Sequence, residues 1–162
     1  MLRVIVINGS GGVGKDSFVD ACRKYTAVLN LSTVEPVKEA LKSLGYKGAK
    51  TEEDRQFLSD VWDAWYRYNK GPVRYITKEV KSFDYFKGLI FVHMRQIKAI
   101  PELVEAVHAV TLLVTNSRVA VPGNHADSEV DQIYYDHYID NEGTLEDLDL
   151  MAKEFVEKIW EV

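Results

Sequence analysis

The sequence lacks several features that would point to particular classes of protein. Cys22 is its only cysteine, which excludes an intramolecular disulfide and a metal cluster held by several cysteines. It has no apolar run long enough to cross a membrane, and its first residues do not have the charged and then apolar pattern of a secretory signal. We therefore expect a cytoplasmic protein with no membrane partner.

An excess of positive charge is also missing. The formal net charge is −5 at pH 7, which gives no reason to expect a nucleic-acid polymer as a partner. A phosphate-bearing ligand must then be held by local cations. Internal repeats, low-complexity tracts and linkers are absent too, and 46% of the residues are apolar. We expect a single domain over residues 1–162 that buries an ordinary core.

The most informative stretch is rich in glycine and lies between an apolar strand and an amphipathic segment. Residues 9–17 read GSGGVGKDS. The spacing G-x-x-x-x-G-K is typical of a loop whose backbone N–H groups surround phosphate oxygens while the lysine reaches the outer phosphates. The alternative is a glycine-rich turn with no ligand. The spacing favours a phosphate site formed by Gly9, Gly11, Gly12, Val13, Gly14, Lys15, Asp16 and Ser17.

The residue after the lysine departs from that motif. Asp16 stands where the motif has a serine or threonine that binds magnesium, and Ser17 follows one position later. Magnesium prefers oxygen ligands and keeps several of its waters. Asp16 and Ser17 are therefore the candidate ligands of Mg²⁺ beside the phosphates.

Apolar runs alternate with segments of helical spacing along the whole chain. The runs predict strands at residues 2–8, 27–31, 88–92, 109–114 and 135–140. The spacing predicts helices at residues 14–25, 35–44, from 51 onwards, 73–86, around 101–107 and from 144 onwards. This alternation, with a glycine loop after the first strand, predicts an α/β protein with a three-layer P-loop NTPase fold and a five-stranded parallel sheet.

Ligands of such sheets bind beyond the carboxyl ends of the strands. Several chemically useful side chains follow those ends: Lys15, Ser32, His93, Arg95, Asn116, Arg118 and Asn141. An arginine in a loop is usually solvated surface, but one just beyond a buried strand beside a phosphate loop is a candidate phosphate ligand. For His93 a structural hydrogen-bonding role is favoured over acid or base chemistry, because phosphoryl transfer needs little general-base help.

Aromatic residues are concentrated on the helix that Thr51 opens. Trp62, Trp65 and Tyr68 recur there at helical spacing. Such a stripe either packs into the core or offers a platform to the ring of a ligand. The core interpretation is favoured, because a broad apolar stripe usually faces the interior.

Three segments resemble one group of small-molecule kinases. Residues 14–17 read GKDS, residues 32–38 read STVEPVK and residues 138–145 read YIDNEGTL. The first two segments resemble the phage-type deoxynucleoside monophosphate kinases and the animal-type phosphomevalonate kinases. The last is similar to the turn near the nucleotide base in nucleoside monophosphate kinases and dephospho-coenzyme A kinases. The resemblance therefore places Asn141 beside the nucleotide. His93 departs from the pattern, since many relatives have an aspartate there.

The resemblance implies transfer of the ATP γ-phosphoryl group, with Mg²⁺, to a nucleoside or deoxynucleoside monophosphate. In that interpretation the catalytic residues are Lys15, Asp16, Arg95 and Arg118. The acceptor-binding region spans about residues 33–87, and a short lid spans about 116–131. The implied acceptor ligands are Ser32, Lys38, Arg55, Arg74 and Arg95. For Arg55, a charge on the solvent-exposed face of a helix is an equally good interpretation.

Two alternatives stay open beside that interpretation. The chain could phosphorylate another small phosphorylated metabolite, or it could bind a nucleotide without catalysis. The expected partner is a small-molecule nucleotide substrate, and a homodimer is possible.

Overall fold

The computed structural model describes residues 2–49, 51–120 and 129–161. Its strands are β1 (Leu2–Asn8), β2 (Val28–Ser32), β3 (Gly88–His93), β4 (Val110–Thr115) and β5 (His137–Asp140). Its helices are α1 (Lys15–Cys22), α2 (Glu35–Lys42), α3 (Glu52–Asn69), α4 (Gly71–Ser82), α5 (Ile100–Val107) and α6 (Leu145–Glu161), with a 3₁₀ turn at Ile97–Ala99 before α5. Among the described helices, none combines the length and the apolar character of a membrane span.

The strands form one parallel sheet in the order β2-β3-β1-β4-β5. β1 is central, because it pairs in parallel with β3 on one side and with β4 on the other. The predicted α/β fold with a five-stranded parallel sheet is therefore confirmed. The chain runs from β1 to one half of the sheet and later crosses to the other half, so a crevice opens at the carboxyl end of β1.

Both faces of the sheet are covered, which explains the almost continuous apolar sequence of β1. Val4 and Val6 point to one face and pack with the buried sides of α2, α3, α4 and α5. Ile5 and Ile7 point to the other face and pack with α1 and α6. The three layers hold β1 rigidly, and the loop that follows it starts from a fixed position.

Some predicted boundaries were wrong. The helix expected from Val73 begins at Gly71, with Pro72 in its first turn, where a proline needs no N–H partner. Lys70, with a φ of 57°, joins α3 to α4. The strand expected from Tyr135 begins at His137.

The aromatic stripe of α3 divides between core and surface. Trp62 is fully buried and stacks on Tyr66 with 5.3 Å between the ring centroids. Trp65 is only partly buried and packs against the backbone at Gly71. Tyr68 is 84% exposed, so it was wrongly included among the buried positions. The buried side of α3 is instead formed by Ser59, Trp62, Asp63 and Tyr66.

Candidate active site

The glycine loop fits closely between its neighbours. Gly14 has a φ of 97°, and a Cβ atom there would lie 2.2 Å from Nδ2 of Asn141. At Gly9 a Cβ atom would lie 2.4 Å from the carbonyl oxygen of Val114. Gly14 is also the N-cap of α1 and offers no side-chain cap. The first N–H groups of α1 are therefore suited to an anion at the mouth of the loop.

The ammonium group of Lys15 lies across this loop. Its Nζ atom donates to the carbonyl oxygen of Gly9 at 2.5 Å and to that of Ser10 at 2.8 Å. A lysine held in this way places a compact positive charge beside the loop amides. Lys15 thus lies where the sequence predicted it, at the loop.

The turn after β5 is attached to the loop from the other side. Asn141 donates from Nδ2 to the carbonyl oxygen of Val13 at 2.9 Å. Asn116, just beyond β4, donates from its own Nδ2 to the carbonyl oxygen of Asn141 at 2.6 Å. These bonds bring the ends of β4 and β5 together at the loop, so Asn141 is beside the predicted nucleotide position.

The predicted lid begins near the loop but is described only in part. Val119 lies 3.5 Å from the position of a Cβ atom built on Gly12. Arg118 is exposed, and its backbone N–H donates to Oδ1 of Asn116. Hydrogen bonds from Ser117 lower the pKa of Glu142, and the charge of Arg118 acts in the same direction. It does not line the cleft described below. Residues 121–128 of the lid prediction lie outside the described residues.

A cleft of about 1060 Å³ extends from the loop between the ends of β2 and β3 and the helices α2 and α3. The glycine-loop lining comprises Gly11, Gly12, Gly14, Lys15, Asp16 and Ser17. Four of the predicted acceptor ligands line it as well, namely Ser32, Lys38, Arg55 and Arg95. Arg74 does not, because it lies on the exposed face of α4. The cleft is large enough for a small ligand beside the loop.

Cations predominate on the walls of the cleft. Among the residues that the structure describes, its lining has six, namely Lys15, Lys38, Lys42, Lys47, Arg55 and Arg95, against four acidic residues, namely Asp16, Glu35, Glu39 and Asp54. Lys38 and Lys42 each form an ion pair with an acidic residue three positions earlier, which screens part of their charge. A chain with a net charge of −5 thus has a locally cationic cleft, as anion binding requires.

Sequence reasoning missed two of those lysines. Lys42 lies four residues after Lys38, on the same side of α2, and helical spacing could have identified it. Lys47 follows α2 in an irregular segment, where no periodic signal exists. Tyr46, also missed, is the only phenylalanine, tyrosine or tryptophan among the described residues of the cleft lining.

His93 lies at the floor of the cleft, at the end of β3. Its Nε2 atom is 3.9 Å from Oδ1 of Asp16 and has no hydrogen-bond partner in the described part of the chain. Burial lowers the pKa of His93 to about 4, with the charges of Lys15 and Arg95 acting in the same direction and Asp16 opposing them. The imidazole is therefore neutral at physiological pH.

Asp16 and Ser17 form a donor set that fits magnesium. Both line the cleft at the start of α1, and the side chain of Asp16 is 87% exposed. Their oxygens suit a hard cation. Within the described ranges no group of three or more histidine, cysteine, aspartate or glutamate residues could hold a metal ion. An ion here would take its remaining ligands from water and from phosphate oxygens.

Solved structures with the same fold were found, although no protein-family model and no curated protein matches this sequence. A sugar kinase from Janibacter sp. HTCC2649 matches with a TM-score of 0.56 and 14% identity over 97% of this chain and 95% of that one. A gluconokinase from Sinorhizobium meliloti 1021 matches at 0.52, with 13% identity over 98% and 95% of the two chains. The shikimate kinase from Aquifex aeolicus matches at 0.50, with 12% identity over 98% and 97%.

These matches extend over nearly the whole of both chains in each pair. At identities below 15% they establish the fold alone. The protein therefore has the fold of P-loop kinases that act on small molecules.

Proposed function

We propose that the protein is an ATP-dependent phosphotransferase whose acceptor is a nucleoside or deoxynucleoside monophosphate. One observation carries the proposal: Lys15 of the glycine loop and Arg95 beyond β3 line the same cleft. Transfer between two anionic substrates needs both to be held in line and the charge of the moving group to be stabilised. Two cations that follow different strands and line one cleft are suited to that requirement.

On the donor side, the loop amides and Lys15 hold the phosphates of ATP. Asn141 supports the loop through its bond to Val13. Asp16 and Ser17 hold Mg²⁺, which neutralises charge on the β- and γ-phosphates when bound. Arg118, at the start of the lid and outside the cleft lining, is the proposed ligand of the moving phosphoryl group. The position of Asp16 beside a phosphate loop makes chemical sense if a cation lies between the carboxylate and the phosphates.

On the acceptor side, Arg95 holds the phosphate of the monophosphate, with Ser32, Lys38 and Arg55 on the surrounding walls. A phosphate oxygen of the acceptor attacks the γ-phosphorus atom of ATP. The bond from that phosphorus to the bridging oxygen breaks, and ADP leaves with the electron pair. A dianionic phosphate has no proton to lose, so the reaction needs no general base. A neutral His93 in place of an aspartate is compatible with this chemistry.

A second acceptor class is another small phosphorylated metabolite. Its supporting observation is the scarcity of ring-stacking surface, because Tyr46 alone among the phenylalanine, tyrosine and tryptophan residues described lines the cleft. Two large rings of α3, those of Trp62 and Tyr66, are buried in the core. An acceptor without a base would need only the cations and hydroxyls of the walls.

A coupled ADP-release assay tests both proposals. The panel contains the common nucleoside and deoxynucleoside monophosphates, several sugar and isoprenoid phosphates, and shikimate and gluconate as unphosphorylated acceptors. We expect at least one monophosphate to be turned over about 100-fold faster than in the Lys15→Ala variant. Turnover of a sugar or isoprenoid phosphate would select the second class. ATP binding by calorimetry without any product would contradict both and identify a non-catalytic nucleotide-binding protein.

A further inference from the structure

The side chain of Asn8 is a buried junction at the end of β1. It is fully buried, and its Oδ1 atom accepts the N–H of Gly9 at 2.8 Å. Its Nδ2 atom donates to the hydroxyl of Tyr135 at 2.9 Å and, at 3.4 Å, to the carbonyl oxygen of Arg95. One amide group thus contacts the first residue of the phosphate loop, the backbone of Arg95 and a tyrosine 127 positions away.

Tyr135 connects the side chain of Asn8 to Val130 through its hydroxyl group. Its side chain is buried, and its hydroxyl donates to the carbonyl oxygen of Val130 at 2.6 Å. Burial raises the pKa of Tyr135 to about 12, so the hydroxyl keeps its proton at neutral pH. It can therefore accept from Asn8 and donate to Val130 at the same time. Residues 129–136, called the return segment here, are connected in this way to the loop.

The junction extends the pairing of β1 with β3 beyond its backbone hydrogen bonds. The register of the two strands ends at Ile7 and His93, and the N–H of Met94 still donates to the carbonyl oxygen of Ile7 at 3.2 Å. Beyond that bond, Nδ2 of Asn8 contacts the carbonyl oxygen of Arg95 where a backbone hydrogen bond would otherwise continue the pairing. The side chain of Asn8 therefore acts where the backbone pairing of β1 with β3 has ended.

We propose that Asn8 and Tyr135 are positioning residues, which hold the phosphate loop and Arg95 in a fixed relation and connect both to the return segment. The catalytic part of this inference depends on the proposed phosphotransferase function. Donor and acceptor must be aligned for in-line transfer, and small misplacements of the reacting groups are costly. An asparagine is needed because it offers an acceptor to Gly9 and donors to Tyr135 and Arg95 on one planar group.

Hydrogen exchange tests the physical connection without reference to activity. Tyr135→Phe removes one hydroxyl from the junction, and the matched control is Tyr134→Phe, because Tyr134 is 97% exposed. We expect peptides containing Gly9 and peptides containing Arg95 to exchange about tenfold faster in Tyr135→Phe, because the Asn8 amide that contacts both of them loses its bond to Tyr135. The Tyr134→Phe protein should exchange like the wild type. Faster exchange confined to the return segment would overturn the proposal.

Kinetics test whether the connection serves catalysis. In Tyr135→Phe we expect kcat to fall about tenfold while the Kd for ATP stays within about threefold, because alignment is lost and the loop amides and Lys15 remain. Asn8→Ala should have a larger effect of the same kind. If Asn8→Ala does not fold, Tyr135→Phe still decides the question.

A folded Tyr135→Phe protein with a kcat within twofold of the wild type would overturn the catalytic part and leave a purely structural network. If the wild type itself phosphorylates no acceptor, the proposed function fails. The exchange experiment then still decides the physical connection, so the two failures are distinguishable.

Discussion

The Nε2 atom of His93 lies 3.9 Å from Oδ1 of Asp16 at the floor of the cleft. The two side chains differ in exposure, since that of His93 is 17% exposed and that of Asp16 is 87% exposed. A neutral imidazole brings no negative charge to the phosphates. Asp16, which comes from α1 and not from β3, is a carboxylate beside the loop that is suited to organise a cation.

The stability of the protein should depend on pH through His93. The unfolded chain takes up a proton at this histidine near its ordinary pKa of 6.5, whereas the folded protein does so only near 4. Between these values the unfolded state binds more protons, so stability is lost as the pH falls. We expect a loss of up to about 3 kcal/mol, from the size of the shift. Urea denaturation at pH 7.5 and at pH 4.5 measures it.

His93→Gln is the comparison that isolates this effect. Burial also lowers the pKa of His137, so His137 contributes to the wild-type pH dependence with the same sign. His137→Gln is the matched control, and it should leave most of the dependence in place. Equal pH dependence in the wild type and in His93→Gln would contradict the buried neutral histidine.

Sequence reasoning predicted the parts of this protein that depend on local pattern. The loop and its lysine follow from residues 2–17 alone, because strand, glycine spacing and helix are contiguous there. Arg74 and Arg95 were both predicted acceptor ligands, and the residue type alone does not distinguish them. Only the packing of α4 turns Arg74 toward solvent. The contact between Asn8 and Tyr135 joins residues 127 positions apart, for which the sequence contains no periodic signal.

Lys15 should be essential for turnover. Its Nζ atom lies at the loop, on the carbonyl oxygens of Gly9 and Ser10, so Lys15→Ala removes the cation nearest to the donor phosphates. We expect kcat/KM to fall by about 10² to 10³, the usual cost of removing one preorganised electrostatic group. Steady-state kinetics with ATP and the best acceptor measure the change. Lys24→Ala is the control, since Lys24 pairs with Asp149 outside the cleft. Near-normal rates in Lys15→Ala would refute its assigned role.

Alanine substitutions of the predicted acceptor arginines should have different effects, according to whether the arginine lines the cleft. Arg95 and Arg55 line the cleft and Arg74 does not. We expect Arg95→Ala and Arg55→Ala to raise the KM for the acceptor by about tenfold or more, the usual value of a charge-assisted hydrogen bond, and to leave ATP binding in place. Arg74→Ala should behave like the wild type. A selective loss of ATP affinity in Arg95→Ala would assign that arginine to the donor side.

Gly14 should be required for the shape of the loop and not only for its backbone torsion. Gly14→Ala imposes the strain of a φ of 97° and a contact of 2.2 Å with Nδ2 of Asn141. The asparagine must then move, and its bond to Val13 is lost. Gly45→Ala is a matched control, because Gly45 has a φ of 86° with nothing within 4 Å of the added Cβ atom and lies outside the cleft lining.

Both alanine variants should lose about 1–2 kcal/mol of stability through the left-handed backbone conformation. Only Gly14→Ala should also lose ATP affinity, since only there does the new methyl group displace a neighbour of the loop. The double variant Gly14→Ala with Asn141→Ala removes the collision but keeps the strain, so it should bind ATP more tightly than Gly14→Ala alone. Thermal unfolding and calorimetry with ATP give both quantities. Equal ATP affinity in Gly14→Ala and Gly45→Ala would mean that contact with Asn141 does not shape the phosphate site.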